Sequence, residues 1–127
     1  MPKVLGLGGL FFKSADTAAM REWYGRVLGL SFEDWGGLVF TPDVAAAHPG
    51  AATVFSAFAA DTDYFAPSDA AFMFNLMVDD LAGIVARCAE HGVRPLAPIL
   101  DEFNGRFAHI IDPEGRKIEL WEPKPMG

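Results

Sequence analysis

The chain has 127 residues, 51% of them hydrophobic and 21% charged, which fits one globular domain burying about two-thirds of its unfolded surface. Its formal net charge of −7, without any run of Lys or Arg, excludes the clustered basic footprint that nucleic acid or an anionic membrane surface requires. A single cysteine, Cys88, excludes an internal disulfide and a multi-cysteine zinc site.

The first twelve residues, MPKVLGLGGLFF, are apolar but lack the basic start and small-residue cleavage site of a secretory leader. No apolar run reaches the ~18 residues of a membrane span, so the expectation is a soluble, cytoplasmic protein. Residues 4–12 read as a buried strand in which Gly6, Gly8 and Gly9 leave room for something else. Ser14 and Asp16 then offer N-cap oxygens. From Thr17 the apolar spacing changes: Met20, Trp23, Tyr24 and Val27 follow the i, i+3, i+4, i+7 pattern of one helix face, and Gly29 supplies a left-handed stop. Trp23 and Tyr24 are thereby core or dimer-interface residues. Strands are predicted over 30–35, 38–41 and 53–58, with Gly36-Gly37 as a hairpin turn and 42–52 as a longer loop.

Residues 59–71, AADTDYFAPSDAA, are polar, carry a proline and read as a linker. Asp61, Asp63 and Tyr64 within it either close over a ligand or form a capped turn. The first half then recurs in pattern. A strand is predicted over 72–78, Asp79 and Asp80 provide caps, and Leu81, Ile84, Val85 and Cys88 make a helix face that Gly92 ends. Cys88, among apolar neighbours, is expected to be a buried, inert thiol. Further strands are predicted over 93–100, 106–111 and 116–122, the last two joined by Asp112-Pro113-Glu114-Gly115, a turn with Pro at i+1 and Gly at i+3. Each half thus reads as strand, helix and three strands. The expected fold is α+β: two βαβββ modules in tandem, about 1–58 and 72–127 around the linker, in a single domain over 1–127.

Three stretches carry a resemblance: GGLFFKSADTAAMREWYGRVLGL, FMFNLMVDDLAGIVARCAEHGV and GRFAHIIDPEGRKIELWEP. Together they resemble the vicinal-oxygen-chelate superfamily, which includes glyoxalase I, bleomycin and fosfomycin resistance proteins and extradiol dioxygenases. The resemblance implies that the curved mixed sheets of paired modules form a cleft, with metal ligands and substrate contacts on the strands that face it, and that the protein is a homodimer. The family's metal ligands would fall at Gly9, near Ser56, at Met73 and at Glu119. Only Glu119 is a usual donor for zinc, nickel or iron, which want three or four N, O or S atoms. The expectation is no cofactor, a divalent metal having an incomplete ligand set. Of His48, His91 and His109, only His109 is placed to reach the cleft.

Side chains on a strand alternate faces. Phe74, Leu76 and Val78 would pack under the helix, leaving Met73, Asn75 and Met77 on the cleft face. The first strand sends Gly9, Phe11 and Lys13 there, and the last sends Lys117, Glu119 and Trp121. An apolar cavity with few polar points is the usual form of a small-molecule site. Glu119 is either a general base, its pKa raised by desolvation between Met and Trp, or a carboxylate paired with Lys13, Lys117 or Arg106. Asn75 satisfies backbone or binds ligand; Arg106 clamps an anion or lies on the surface. The expected substrate-contacting set is Asn75, Met73, Phe11, Arg106, His109 and Trp121, with Glu119 catalytic in an enzyme. Two functions follow from the resemblance: lyase or isomerase chemistry of the glyoxalase type, or non-catalytic sequestration of a small organic ligand or antibiotic in a dimer cleft.

Overall fold

Asp16 and Asp80 each start a helix in the same way. Both adopt extended backbone (φ −144°, ψ 92° and φ −146°, ψ 92°), and each side chain accepts a hydrogen bond from the amide three residues on, Ala19 at 3.0 Å and Gly83 at 3.1 Å. In the computed structural model, which describes residues 1–125, helix α1 runs Thr17–Leu28 and a short helix α2 runs Pro42–Ala46. Strand β1 (Phe74–Met77) is followed by helix α3 (Leu81–Glu90) and strands β2 (Leu100–Glu102), β3 (Gly105–Ile111) and β4 (Lys117–Pro123). Met126 and Gly127, the end of the domain expected over 1–127, lie outside the described residues. Gly29 ends α1 with a φ of 73°, its amide returning to the Gly25 carbonyl at 3.0 Å.

The four strands form one open mixed sheet in the order β1-β4-β3-β2, with β1 parallel to β4 and the other pairs antiparallel. From β1 onward the chain has the βαβββ order. One face of the sheet packs against the helices. Ile110, Ile118 and Leu120 are wholly buried there beside Ala108 and Phe74, meeting Met20, Trp23, Tyr24 and Val27 of α1 and Leu81 and Cys88 of α3. Each such aliphatic side chain contributes about 1.5–3 kcal/mol by leaving water. Trp23 and Tyr24 are therefore core residues within one chain, and burial raises the pKa of the Cys88 thiol, as expected of an inert cysteine.

The turn between β3 and β4 does more than reverse the chain. Asp112 Oδ1 accepts from the backbone amides of Glu114 (2.9 Å) and Arg116 (3.0 Å), and Gly115 closes the turn onto the Asp112 carbonyl at 3.0 Å. Its Oδ2 accepts from the Tyr24 hydroxyl at 2.8 Å and from Arg116 Nη1 at 2.9 Å, although Asp112 is only 3% exposed. Arg116 also reaches Glu114 at 2.7 Å and the Lys13 carbonyl, with its guanidinium 4.6 Å above the Phe12 ring. Glu114 in turn accepts from Ser14 Oγ at 2.9 Å and from the amides of Ala15 and Asp16. The turn thus fixes α1 to the sheet at both its first turn and its middle. Burial and the adjacent Asp112 carboxylate push the Tyr24 phenol well above its ordinary pKa, so it stays a donor.

The first half departs from expectation. Among the described residues, 4–12, 30–35, 38–41 and 53–58 form no regular strand. The Gly36-Gly37 turn exists, with Glu33 N bonded to the Gly37 carbonyl at 2.8 Å, but no ladder continues from it. Strands are stable only when paired and covered, and no strand ladder pairs these segments among the described residues: Leu30 and Phe32 pack against the core, but Phe11 is 94% and Phe55 92% exposed. The two halves share their capped helices, and among the described residues the regular strands lie in the second half alone. Two smaller departures have local causes. Pro42 sits at the start of α2, where its missing amide costs nothing, so part of the expected loop is helical. Pro95 and Pro98 interrupt the strand expected over 93–100, and only its end pairs, as β2.

Candidate functional site

The face of the sheet turned away from the helices is organised by β4. Because Ile118 and Leu120 are buried, Lys117, Glu119 and Trp121 occupy the other side. The register sets His109 of β3 opposite Glu119 on one flank and Asn75 of β1 opposite it on the other. Directly opposed side chains lie about 5 Å apart at Cβ, close enough for both to reach the carboxylate.

They do reach it. Asn75 Nδ2 donates to Glu119 Oε1 at 2.8 Å, and His109 Nε2 lies 2.8 Å from Oε2. The third donor comes from the segment before β1: the Tyr64 hydroxyl meets Oε2 at 2.5 Å and stands 3.3 Å from His109 Nε2. An ionised carboxylate has only lone pairs to offer, so His109 Nε2 carries its proton in this arrangement. The Glu119 and His109 side chains are each 12% exposed. Lys117 Nζ donates to the Tyr64 carbonyl at 2.6 Å and sits 5.0 Å over the Tyr64 ring.

Desolvation opposes the charged form of Glu119, yet the hydrogen bonds from His109, Tyr64 and Asn75 outweigh it and hold the carboxyl below its ordinary pKa. The raised value expected from burial between Met and Trp is thus corrected: the donors, invisible in the local sequence, decide the sign. In the alternative of a paired carboxylate, the partner is His109 at 2.8 Å rather than Lys13, Lys117 or Arg106. Burial, then the bond to Glu119 and its charge, push the Tyr64 phenol well above its ordinary pKa.

The other expected contacts are dispersed. Arg106 lies three positions before His109, which puts the two on opposite faces of β3; it approaches Asp101 at 3.9 Å instead. Phe11 is exposed to solvent. Trp121 is buried as a wall of the face, stacked on Phe107 with centroids 6.1 Å apart, its indole N–H donating to the Asn104 carbonyl at 3.1 Å. Met73 is half-buried just ahead of β1. A recess of about 740 Å³ opens beside the β1 edge, lined by Val4, Leu5, Phe40, Phe55 and Met77; Glu119 is not in its lining. Tyr64 is the contributor that strand alternation alone did not assign to Glu119. The one signal for Tyr64 was a single phenol in a polar, turn-rich segment.

A profile of the glyoxalase-like domain matches residues 9–121. The chain belongs to the glyoxalase-like domain family, within the vicinal-oxygen-chelate superfamily. No curated protein sequence matches it. Of the positions where the superfamily's metal ligands would fall in this glyoxalase-like domain, Glu119 alone carries a usual donor for zinc, nickel or iron. Gly9 has no side chain and Met73 offers a thioether. His109 and Glu119 supply two donors, and both Glu119 oxygens already accept hydrogen bonds. No helix among the described residues is long and apolar enough to cross a membrane.

Proposed function

We propose that this glyoxalase-like domain binds a small organic molecule on the Glu119 face and holds it through a fixed carboxylate, in the manner of a bleomycin-resistance-type binder. One observation carries the reading: Glu119 is an acceptor, its pKa held below the ordinary value, on which three donors from three segments converge. A general base works best with a pKa near the operating pH and a lone pair aimed at the substrate proton. Glu119 has a lowered pKa and lone pairs engaged by Tyr64, Asn75 and His109, which favours anchoring over proton abstraction and so the binder over the lyase or isomerase. A thermal-shift screen of aromatic and ionic small molecules tests it. Hits are expected whose shifts vanish in Glu119→Ala; a screen with no Glu119-dependent hit sinks the reading.

The same reading makes the protein a homodimer. Its surface of 8862 Å² exceeds the roughly 6,600 Å² that a compact monomer of this mass exposes. Much of the excess is apolar and lies in the first half, including Leu5, Phe11, Trp35, Phe40 and Phe55. Sedimentation velocity at micromolar concentration is expected to give twice the chain mass, and a monomer mass across that range would remove this part of the proposal.

A further inference from the structure

Tyr64 makes an unusually complete set of contacts for a residue in a segment without regular secondary structure. Its hydroxyl donates to the Glu119 carboxylate. One edge of its ring meets the His109 imidazole at 5.6 Å and 87°, Phe58 stacks against it at 5.7 Å, and the Lys117 ammonium lies 5.0 Å from the centroid. An anion for the O–H, a cation and an aromatic ring for the π system, and an imidazole at the edge together describe a receptor for a phenol.

The occupant is not built in as a core residue. Tyr64 remains 38% exposed, and its neighbours in 59–71 are held by short turn hydrogen bonds: Thr62 N to the Ala59 carbonyl, Ala66 N to the Asp63 carbonyl and Ser68 N to the Phe65 carbonyl. The tie between this segment and the sheet is Tyr64 itself, through its hydroxyl and through its carbonyl to Lys117. Segments with few buried apolar contacts open at small cost.

We propose that the Tyr64 side chain is an internal stand-in for the ligand, and that the Glu119 face takes a molecule bearing an aromatic hydroxyl, which displaces Tyr64 as the 59–71 segment lifts. This inference rests on the small-molecule reading of the Glu119 face and adds the ligand's chemical class. The exchange swaps one phenol–carboxylate hydrogen bond for another. The tethered Tyr64 therefore acts as a competitor at high effective concentration, and apparent affinity falls by the fraction of molecules whose subsite is open.

Titration calorimetry with phenol separates the outcomes. Phenol is expected to bind Tyr64→Ala about ten- to hundredfold more tightly than the unaltered protein. Tyr64→Phe, which loses one oxygen and keeps its ring, is expected to fall between them. Adding Glu119→Gln to Tyr64→Ala should return phenol to weak binding, and benzene should bind Tyr64→Ala more weakly than phenol. Equal phenol affinity in the unaltered protein and Tyr64→Ala overturns the inference, as does benzene binding as well as phenol. A Glu119-dependent ligand whose affinity is untouched by Tyr64→Ala also overturns it while leaving the small-molecule reading intact; the absence of any Glu119-dependent ligand strikes that reading itself.

Discussion

Replacing Asp112 by Ala is expected to remove about 3–5 kcal/mol of folding stability, the usual loss when one member of a buried ion pair is deleted. Its carboxylate is the common acceptor for the Tyr24 hydroxyl, the Arg116 guanidinium and two backbone amides of the turn. Without it, the Arg116 charge stays nearly buried with less compensation, and the Tyr24 hydroxyl, in the core, loses its acceptor. Urea unfolding should show a lower midpoint at an unchanged slope. Glu22→Ala provides the contrast: that carboxylate pairs with Arg26 on the exposed side of α1, and its removal should change stability by less than about 0.5 kcal/mol. A loss under about 1 kcal/mol for Asp112→Ala would mean that Glu114 and the Lys13 carbonyl suffice to hold Arg116, and the account of the turn as the clamp on α1 would fail.

The second large effect belongs to Glu119 and appears with pH. The carboxyl has a folded pKa below its ordinary value of 4.5, so the folded protein binds fewer protons than the unfolded chain in acid. The stability that Glu119 contributes is therefore complete above about pH 4.5 and is lost as the pH falls through the lower folded value. Glu119→Gln removes this titration while keeping the shape. Its carbonyl can accept from Tyr64 and His109, and Asn75 can turn its amide to present oxygen to the new NH₂. Urea unfolding at about pH 6 and about pH 3 should then show the unaltered protein losing more stability than Glu119→Gln. Glu114 and Asp101 also titrate below their ordinary values, but they do so in both proteins and cancel from the difference. Equal acid losses in the two proteins would show that the carboxylate is not held by its three donors.

The parts of this protein that could be read from sequence are those governed by local periodicity. Asp16, Asp80 and Gly29 mark helix ends through their own backbone chemistry, and Met20, Trp23, Tyr24 and Val27 declare a buried face by spacing alone. Alternation likewise told Asn75 and Glu119 apart from Phe74, Ile118 and Leu120. What escaped depends on partners distant in sequence. The apolar segments of the first half have strand-like composition, but composition does not say what they pair with. Desolvation of Glu119 was foreseeable; the sign of its pKa shift is set by hydrogen bonds from His109, Tyr64 and Asn75, and Tyr64 reaches it from an aperiodic segment. Arg106 and His109 were both expected to contact substrate, and the parity of β3 puts them on opposite faces.

The Glu119 cluster also has a history written into its spacings. Its partners lie 10, 44 and 55 positions away: His109, then Asn75, then Tyr64. Closing a longer loop costs more chain entropy, so the β3–β4 hairpin, joined by its self-bonded turn, is the cheapest pairing to form. β1 pairs with β4 across the crossover through α3, a longer closure, and Tyr64 reaches the β4 carboxylate across the longest span of the three. Ranked by the chain each contact must close, the donors run imidazole, amide, phenol, so the costliest closure is the contact that the proposed ligand would displace.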